Sequence, residues 1–289
     1  MYGHGHGHVY GERIEGLITV FFDSHCHLDA EEYDADRDDV LARATEAGIT
    51  HIMVPGYEPR EWARLGPLRA HDPRVVCAVG LHPLYLHELS ERDRREAIDA
   101  LPQWLADTHA AAVGECGLDA PVARRGGADL DTQSEVVRAH LALARELQLP
   151  IILHCVRAHG RMLALLREFG PLVRGGVMHA YGGPVELIDD YRKLNMRFSF
   201  GGIVTHENAK KPRLSLAAVP RELLLVETDG PSQVPHGSTR TRSEPSDIPR
   251  ILAVAAALRA EPVALLARAT DDNARALFGC EAAHVREPP

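Results

Sequence analysis

The chain has 289 residues, of which 45% are hydrophobic and 25% are charged, and its formal net charge is −9. These fractions exclude collagen-like, disordered and disulfide-stapled chains, and the acidic balance argues against a protein that coats duplex DNA. No apolar run reaches the roughly 20 residues of a membrane span, so we expect no membrane association.

The first 16 residues are rich in glycine and histidine and contain no apolar segment. We expect residues 1–16 to form a flexible extension, although His4, His6 and His8 could also bind metal as a low-complexity tract or belong to a purification tag. The five cysteines are an odd number with no CxxC pair, which predicts reduced thiols in the cytoplasm.

From Leu17 onward, short apolar runs alternate with longer helical patterns. Each run is apolar almost throughout, which is typical of parallel strands buried on both faces. The predicted strands are Ile18–Asp23, Ile49–Pro55, Val75–Leu81, Ala110–Gly114, Pro150–His154, Gly175–His179, Arg197–Phe200 and Leu223–Glu227. The predicted helices include Asp38–Ala47, Thr132–Leu147, Arg161–Phe169, Val185–Leu194, Pro249–Leu258 and Pro262–Leu277.

Eight strands that alternate with helices predict a single (β/α)₈ barrel over residues 17–279, followed by a tail over residues 280–289. A doubly wound open sheet is the alternative, but no GxGxxG pattern follows the first strand. The segment 231–249, rich in proline, serine and arginine, is predicted to be a long loop after the eighth strand.

In such a barrel the chemistry lies at the carboxyl ends of the strands. His25 and His27 follow the first strand, and the alternation of a strand places them on one face with Cys26 opposite. We expect Cys26, Cys116 and Cys155 to be small buried residues rather than soft metal ligands.

Further candidate metal ligands follow four other strands. These residues are Glu115, His154, His179 and Asp229. Four histidines and two carboxylates exceed the needs of a single tetrahedral zinc and suit two divalent ions sharing a bridging ligand. The only lysines are Lys193 in a helix and Lys210 and Lys211 in the loop after the seventh strand. A carboxylated lysine therefore cannot be the bridge, which makes Glu115 the natural candidate.

The chain resembles the TatD family of metal-dependent hydrolases, a group of amidohydrolase-like barrels, from about Val20 to Gly279. The resemblance is carried by His25-Cys26-His27-Leu28-Asp29, Val79-Gly80-Leu81-His82-Pro83, Gly114-Glu115-Cys116-Gly117-Leu118-Asp119, Glu227-Thr228-Asp229-Gly230-Pro231, His154, His179-Ala180-Tyr181-Gly182-Gly183 and Asn273-Ala274-Arg275-Ala276-Leu277-Phe278-Gly279.

The resemblance implies an enzyme with two divalent ions (Mg, Mn or Zn) that cleaves phosphodiester bonds. Such an enzyme is typically a deoxyribonuclease that removes nucleotides from single-stranded 3′ ends. One ion is expected on His25, His27, Glu115 and Asp229, and the second on Glu115, His154 and His179. Asp229 would accept a proton from the attacking water. No obligate protein partner is indicated.

Three residues are candidate substrate contacts: His82, which follows the third strand, Arg157 and Lys210. The arginines Arg124, Arg125, Arg240 and Arg242 could line an anionic cleft or only solubilise their loops. Tyr57, Tyr85 and Tyr181 are the tyrosines close enough to strand ends to stack on bases.

Two alternatives to the nuclease remain open at this point. One keeps the barrel and its metals but assigns a small amide, lactone or phosphate ester as substrate. The other is a module that binds metal or a partner without catalysis, although a docking module has no need of a complete ligand set with Asp229.

Overall fold

A computed structural model describes residues 20–280 of the chain. The predicted extension over residues 1–16 and the tail beyond Cys280 lie outside the described residues. Within residues 20–280, no helix combines the length and apolar character that crossing a membrane requires.

Eight parallel strands pair in sequence order, which confirms the predicted (β/α)₈ barrel. Backbone hydrogen bonds from Ser24 N–H to the Val226 carbonyl and from Asp229 N–H to the His25 carbonyl join the first strand to the last. The strands are β1 (Phe21–Asp23), β2 (Ile49–Gly56), β3 (Val75–Val79), β4 (Ala112–Asp119), β5 (Ile151–Val156), β6 (Gly176–Met178), β7 (Met196–Phe200) and β8 (Leu224–Val226).

Ten α-helices and six short 3₁₀ helices occur in the described range. They are α1 (Arg37–Glu46), α2 (Trp62–His71), α3 (Glu91–Asp107), α4 (Ala120–Arg124), α5 (Leu130–Leu147), α6 (His159–Phe169), α7 (Ile188–Lys193), α8 (Lys210–Ala218), α9 (Ile248–Arg259) and α10 (Val263–Phe278). A local signal marks the start of α3, where Ser90 and Asp93 form a capping box.

One of these helices corrects a prediction. Lys210 and Lys211 were expected in a loop, but they form the first turn of α8. Neither residue contributes to the core, so the apolar periodicity that identifies the longer helices is weak in this segment. Lys193 lies in α7 as predicted.

The barrel interior is a hydrophobic cluster distinct from the larger core between strands and helices. Seven strands each contribute one buried side chain to it: Phe22, Met53, Ala78, Ala112, Ile152, Val177 and Leu225. Ala274, Leu277 and Phe278 of α10 pack against the same cluster. Apolar side chains fill this layer, so the polar side chains further along the strands gather towards the other end of the barrel.

Candidate metal centre

Strand alternation carries two histidines directly into the barrel mouth. Ile152 and Val177 belong to the interior cluster. His154 lies two residues beyond Ile152 in β5, and His179 lies two residues beyond Val177, directly after the end of β6. Because successive side chains of a strand point to opposite faces, residues two apart share the inward face. The spacing that buries Ile152 and Val177 therefore also directs both imidazoles inward.

Glu115 is brought inward by an irregularity in its strand. It lies inside β4 rather than after it, and the β4–β5 register shifts between Val113 and Cys116. Gly114 there has a φ of 120°, and a Cβ at this position would lie 2.5 Å from the Ile152 carbonyl oxygen. Only glycine fits that backbone, and bulges of this kind re-aim the neighbouring side chain.

One oxygen of Glu115 belongs to a first group of donors. Glu115 Oε2 lies 3.2 Å from His25 Nε2 and 3.6 Å from His27 Nε2, and the two Nε2 atoms are 3.3 Å apart. Asp229 Oδ1 lies 3.8 Å and 3.7 Å from the same two nitrogens. His25, His27 and Asp229 thus lie close enough together to hold a single ion, and Glu115 Oε2 lies beside the two histidines.

The other oxygen of Glu115 faces a second group. Glu115 Oε1 lies 3.2 Å from His154 Nδ1 and 3.4 Å from His179 Nε2. His82 Nε2, predicted as a substrate contact, is equally close at 3.3 Å. Distance alone therefore does not distinguish His82 from the predicted ligands, and their hydrogen bonds must do so.

Three histidines have an acceptor on the ring nitrogen that faces away from Glu115. The acceptor is the Pro55 carbonyl for His27 Nδ1 at 3.2 Å, Asp119 Oδ2 for His154 Nε2 at 3.1 Å, and Glu227 Oε1 for His179 Nδ1 at 3.0 Å. A neutral imidazole that donates through one nitrogen has a free lone pair on the other, which is the arrangement of metal-binding histidines.

His82 has the opposite arrangement. Its Nδ1 accepts a hydrogen bond from the backbone N–H of Leu84 at 3.1 Å. A neutral His82 must then carry its proton on Nε2, so it presents an N–H donor rather than a lone pair. This tautomer fits a contact to substrate oxygen and separates His82 from the three ligand-type histidines.

Sequence reasoning missed the roles of Asp119 and Glu227, which orient His154 and His179. Glu227 is fully buried, and it also accepts hydrogen bonds from Ala180 N–H at 2.8 Å and Ser199 Oγ at 2.5 Å. The signal that could have found it is alternation, because Glu227 lies two residues beyond Leu225 of the interior cluster.

Burial and mutual interaction shift the pKa values of the cluster. Burial, reinforced by repulsion from His25, lowers the pKa of His27 to about 3 and keeps it neutral. Burial opposes the charge of Glu115, but His82, His179 and His25 outweigh it and hold its pKa well below the usual range. Burial also opposes the charge of His179, yet Glu227, Glu115 and Asp229 raise its pKa to about 10.

Beside the donors lies a cavity of about 260 Å³ whose wall includes Tyr57 and Tyr85. The two rings stack with centroids 4.9 Å apart, and the rings of Tyr57 and His27 form a T-shaped pair. Tyr181 is only 1% exposed and packs against Phe198. The prediction that Tyr181 could stack on bases is therefore wrong, because its ring is part of the core.

The predicted cationic contacts do not converge on this cavity. In the described range, Arg157 and Lys210 are exposed and absent from the residues that line it. Arg242 pairs with Asp36 at 2.6 Å and lies over the Tyr33 ring, while Arg240 pairs with Asp247. Arg240 and Arg242 thus anchor the loop after β8, and Arg124 and Arg125 are exposed around the end of α4.

Nearly the whole chain is similar to proteins of one known family. The family described as "TatD related DNase" matches residues 22–279. The chain is 34% identical over 259 residues to the "uncharacterized metal-dependent hydrolase YabD" of Bacillus subtilis, covering 90% of this chain and 99% of that protein. It is 32% identical over 263 residues to the "3'-5' ssDNA/RNA exonuclease TatD" of Escherichia fergusonii, covering 89% and 98%. The crystal structure of YjjV, a TatD homologue from Escherichia coli K12, superposes with a TM-score of 0.83 at 32% identity, covering 91% of this chain and 99% of that one.

Proposed function

The chain belongs to the TatD-related DNase family and is a metal-dependent hydrolase, and from this premise we propose that it removes nucleotides from 3′ ends of single-stranded nucleic acid with two divalent ions. The observation that carries the two-ion proposal is the position of the two carboxylate oxygens of Glu115, because each oxygen faces a different group of donors. The substrate proposal is supported by the relative named as a 3'-5' ssDNA/RNA exonuclease.

The donors fit divalent ions. Imidazole nitrogens and carboxylate oxygens converge, a combination suited to Zn²⁺ and Mn²⁺, and Mg²⁺ would rely more on the carboxylates. Glu115 Oε1 is buried and accepts no hydrogen bond within the described residues, although three imidazole nitrogens surround it. A cation would also replace the positive charge that His179 now supplies to the carboxylates.

We assign the ligands to the two ions as the family resemblance implies. One ion would be held by His25, His27, Glu115 and Asp229. The other would be held by Glu115, His154 and His179, with Asp119 and Glu227 orienting the two histidines. His82 is outside both sets because its Nε2 carries the proton.

The ions and the protein side chains would have different roles in the reaction. When bound, two divalent ions would lower the pKa of a water nucleophile and offset the charge that develops on the phosphoryl group. Burial raises the pKa of Asp229, which suits a carboxylate that accepts the water proton and returns it to the leaving oxygen. His82 would donate its Nε2–H to a phosphoryl oxygen.

The cavity suits one terminal nucleotide rather than a duplex. Its volume of about 260 Å³ and its wall of Tyr57 and Tyr85 would accept a base beside the donors. Arg157 and Lys210 are proposed to contact phosphates further from the reacting bond, since neither reaches the cavity.

The test is cleavage of 3′- and 5′-labelled single-stranded DNA and RNA oligonucleotides by wild type and Asp229→Asn, with Mg²⁺, Mn²⁺ or Zn²⁺. Stepwise shortening from the 3′ end by wild type, lost in Asp229→Asn, supports the proposal. Absence of cleavage with every ion, in protein shown to bind metal, contradicts it.

The two alternatives have less support. Solved structures of a dihydroorotase and a guanine deaminase share only 13% and 9% identity, so they show the fold alone and do not favour a small-molecule substrate. Membership of a hydrolase family argues against a module without catalysis.

We also propose a cytoplasmic location, because all five cysteines are free thiols and four of them are buried. Recovery of the native protein from a secreted fraction in cell fractionation would contradict this.

A further inference from the structure

Gln233 lies in the loop after β8, four residues beyond Asp229, and no role was expected for it. We infer that Gln233 is a positioning residue, which holds the carboxylate of Asp229 so that one oxygen alone faces the metal ligands. The inference rests on the metal centre proposed above.

The two oxygens of Asp229 have different partners. Asp229 Oδ2 accepts a hydrogen bond from Gln233 Nε2 at 2.7 Å. Asp229 Oδ1 faces His25 Nε2 at 3.8 Å and His27 Nε2 at 3.7 Å. While the amide holds Oδ2, the carboxylate cannot turn both oxygens towards the histidines, so it would bind an ion through Oδ1.

Gln233 is itself held on its other side. Its Oε1 accepts a hydrogen bond at 3.3 Å from the backbone N–H of Ile203, which lies in the short 3₁₀ helix after β7. The backbone carbonyl of Gln233 approaches Gly202 so closely that a Cβ there would lie 1.7 Å from it. The amide thus has a fixed orientation, with its oxygen towards Ile203 and its NH₂ group towards Asp229.

The backbone of Asp229 is already fixed without Gln233. Asp229 has a φ of 51°, and its N–H donates to the His25 carbonyl at 2.8 Å. Its side chain remains 15% exposed, and the hydrogen bond to Gln233 restrains the rotation of the carboxylate. Loss of the Gln233 amide should therefore disturb the carboxylate while leaving the loop backbone in place.

Two substitutions separate this role from a purely structural one. Gln233→Met removes both hydrogen-bonding groups, whereas Gln233→Glu keeps an acceptor for Ile203 N–H but loses the donor to Asp229. The matched control is Gln103→Leu, which removes a glutamine–aspartate hydrogen bond of equal length, 2.7 Å, on the exposed face of α3. Measurements are Mn²⁺ affinity by chelator competition, kcat and KM on a labelled oligonucleotide, and the melting temperature.

We expect both Gln233 variants to lose about 10- to 100-fold in kcat with KM changed less than about threefold, and Gln233→Met to bind Mn²⁺ about 10-fold more weakly, the range typical of residues that orient metal ligands. Their melting temperatures should match that of the Gln103→Leu control. A Gln233→Glu variant with wild-type kcat would overturn the inference, since the Ile203 contact would then suffice. Equal Mn²⁺ affinity and kcat in all variants would overturn it as well. Wild type that binds no Mn²⁺ would instead refute the metal centre of the proposed function.

Discussion

Substitution of Glu227 offers the most direct test of how a buried carboxylate orients a histidine for metal binding. Glu227 is fully buried and serves three donors: its Oε1 accepts from His179 Nδ1 at 3.0 Å and Ala180 N–H at 2.8 Å, and its Oε2 accepts from Ser199 Oγ at 2.5 Å. Glu227→Ala leaves all three without their acceptor. At about 1–3 kcal/mol for each orphaned buried donor, the loss is about 3–9 kcal/mol, against a total stability of roughly 5–15 kcal/mol for a typical domain.

Glu227→Gln removes the negative charge of this side chain while keeping its size and its capacity for hydrogen bonds. Its carbonyl oxygen can replace Oε1, and its NH₂ can face Ser199, whose hydroxyl can rotate to accept. The variant should therefore fold, but His179 loses its anionic partner, and metal affinity should fall about 10- to 100-fold.

The assay is Zn²⁺ titration against a chromophoric chelator, together with thermal unfolding of each variant. Glu168→Gln is the matched control, because Glu168 pairs with Arg138 at the surface and is 53% exposed, where a pair contributes about 0–1 kcal/mol. Wild-type Zn²⁺ affinity in Glu227→Gln would refute the argument that the charge of this carboxylate strengthens metal binding by His179.

Three further predictions follow from the same structure. Asp119→Asn should weaken metal binding about 10- to 100-fold, because Asp119 accepts from His154 Nε2 at 3.1 Å; calorimetric metal titration measures it, and unchanged affinity would exclude the role. Tyr85→Ala should raise KM for a single-stranded oligonucleotide about 5- to 100-fold while sparing metal affinity, as expected for loss of one base-stacking ring; an unchanged KM would place the base elsewhere. Burial lowers the pKa of His140 to about 4, so an unfolded chain with an ordinary histidine near 6.5 binds that proton more tightly. Its contribution to stability is complete above pH 6.5 and is lost as the pH falls towards 4, by about 3 kcal/mol at most. The difference in unfolding free energy between pH 7.5 and 4.5 should therefore be smaller for His140→Gln than for wild type. An equal difference in the two proteins would contradict the lowered pKa of His140.

The sequence alone determined the fold and which residues gather at the centre. Parallel strands place their carboxyl ends at one rim, so ligand-type residues after five different strands indicated a shared site without knowledge of any contact. His25, His27, Glu115, His154, His179 and Asp229 do converge in the structure. The shortage of lysine in the sequence likewise pointed to Glu115, whose two oxygens face the two donor groups.

The sequence was less informative where a residue's role depends on a distant partner. The sequence allows Arg242 either to line a cleft or only to solubilise its loop, and in the structure it pairs with Asp36. The sequence also allows Tyr181 to stack on bases, but its ring is buried against Phe198. In each case the residue type suits a contact with substrate, but in the folded protein the side chain contacts another part of the chain instead. The start of α8 was not predicted for a different reason: this helix begins with Lys210 and Lys211, and too few of its residues face the core to show an apolar period.

Tertiary structure alone decided what each imidazole can do. His82 and His179 lie at similar distances from Glu115 Oε1, 3.3 Å and 3.4 Å. The acceptor of His179 is Glu227, 48 positions away, whereas His82 Nδ1 accepts from the backbone of Leu84. A ring nitrogen binds metal or donates a proton according to what its other nitrogen contacts. The contact of His179 with Glu227 exists only once the barrel brings the ends of β6 and β8, which are separated by β7, to the same rim.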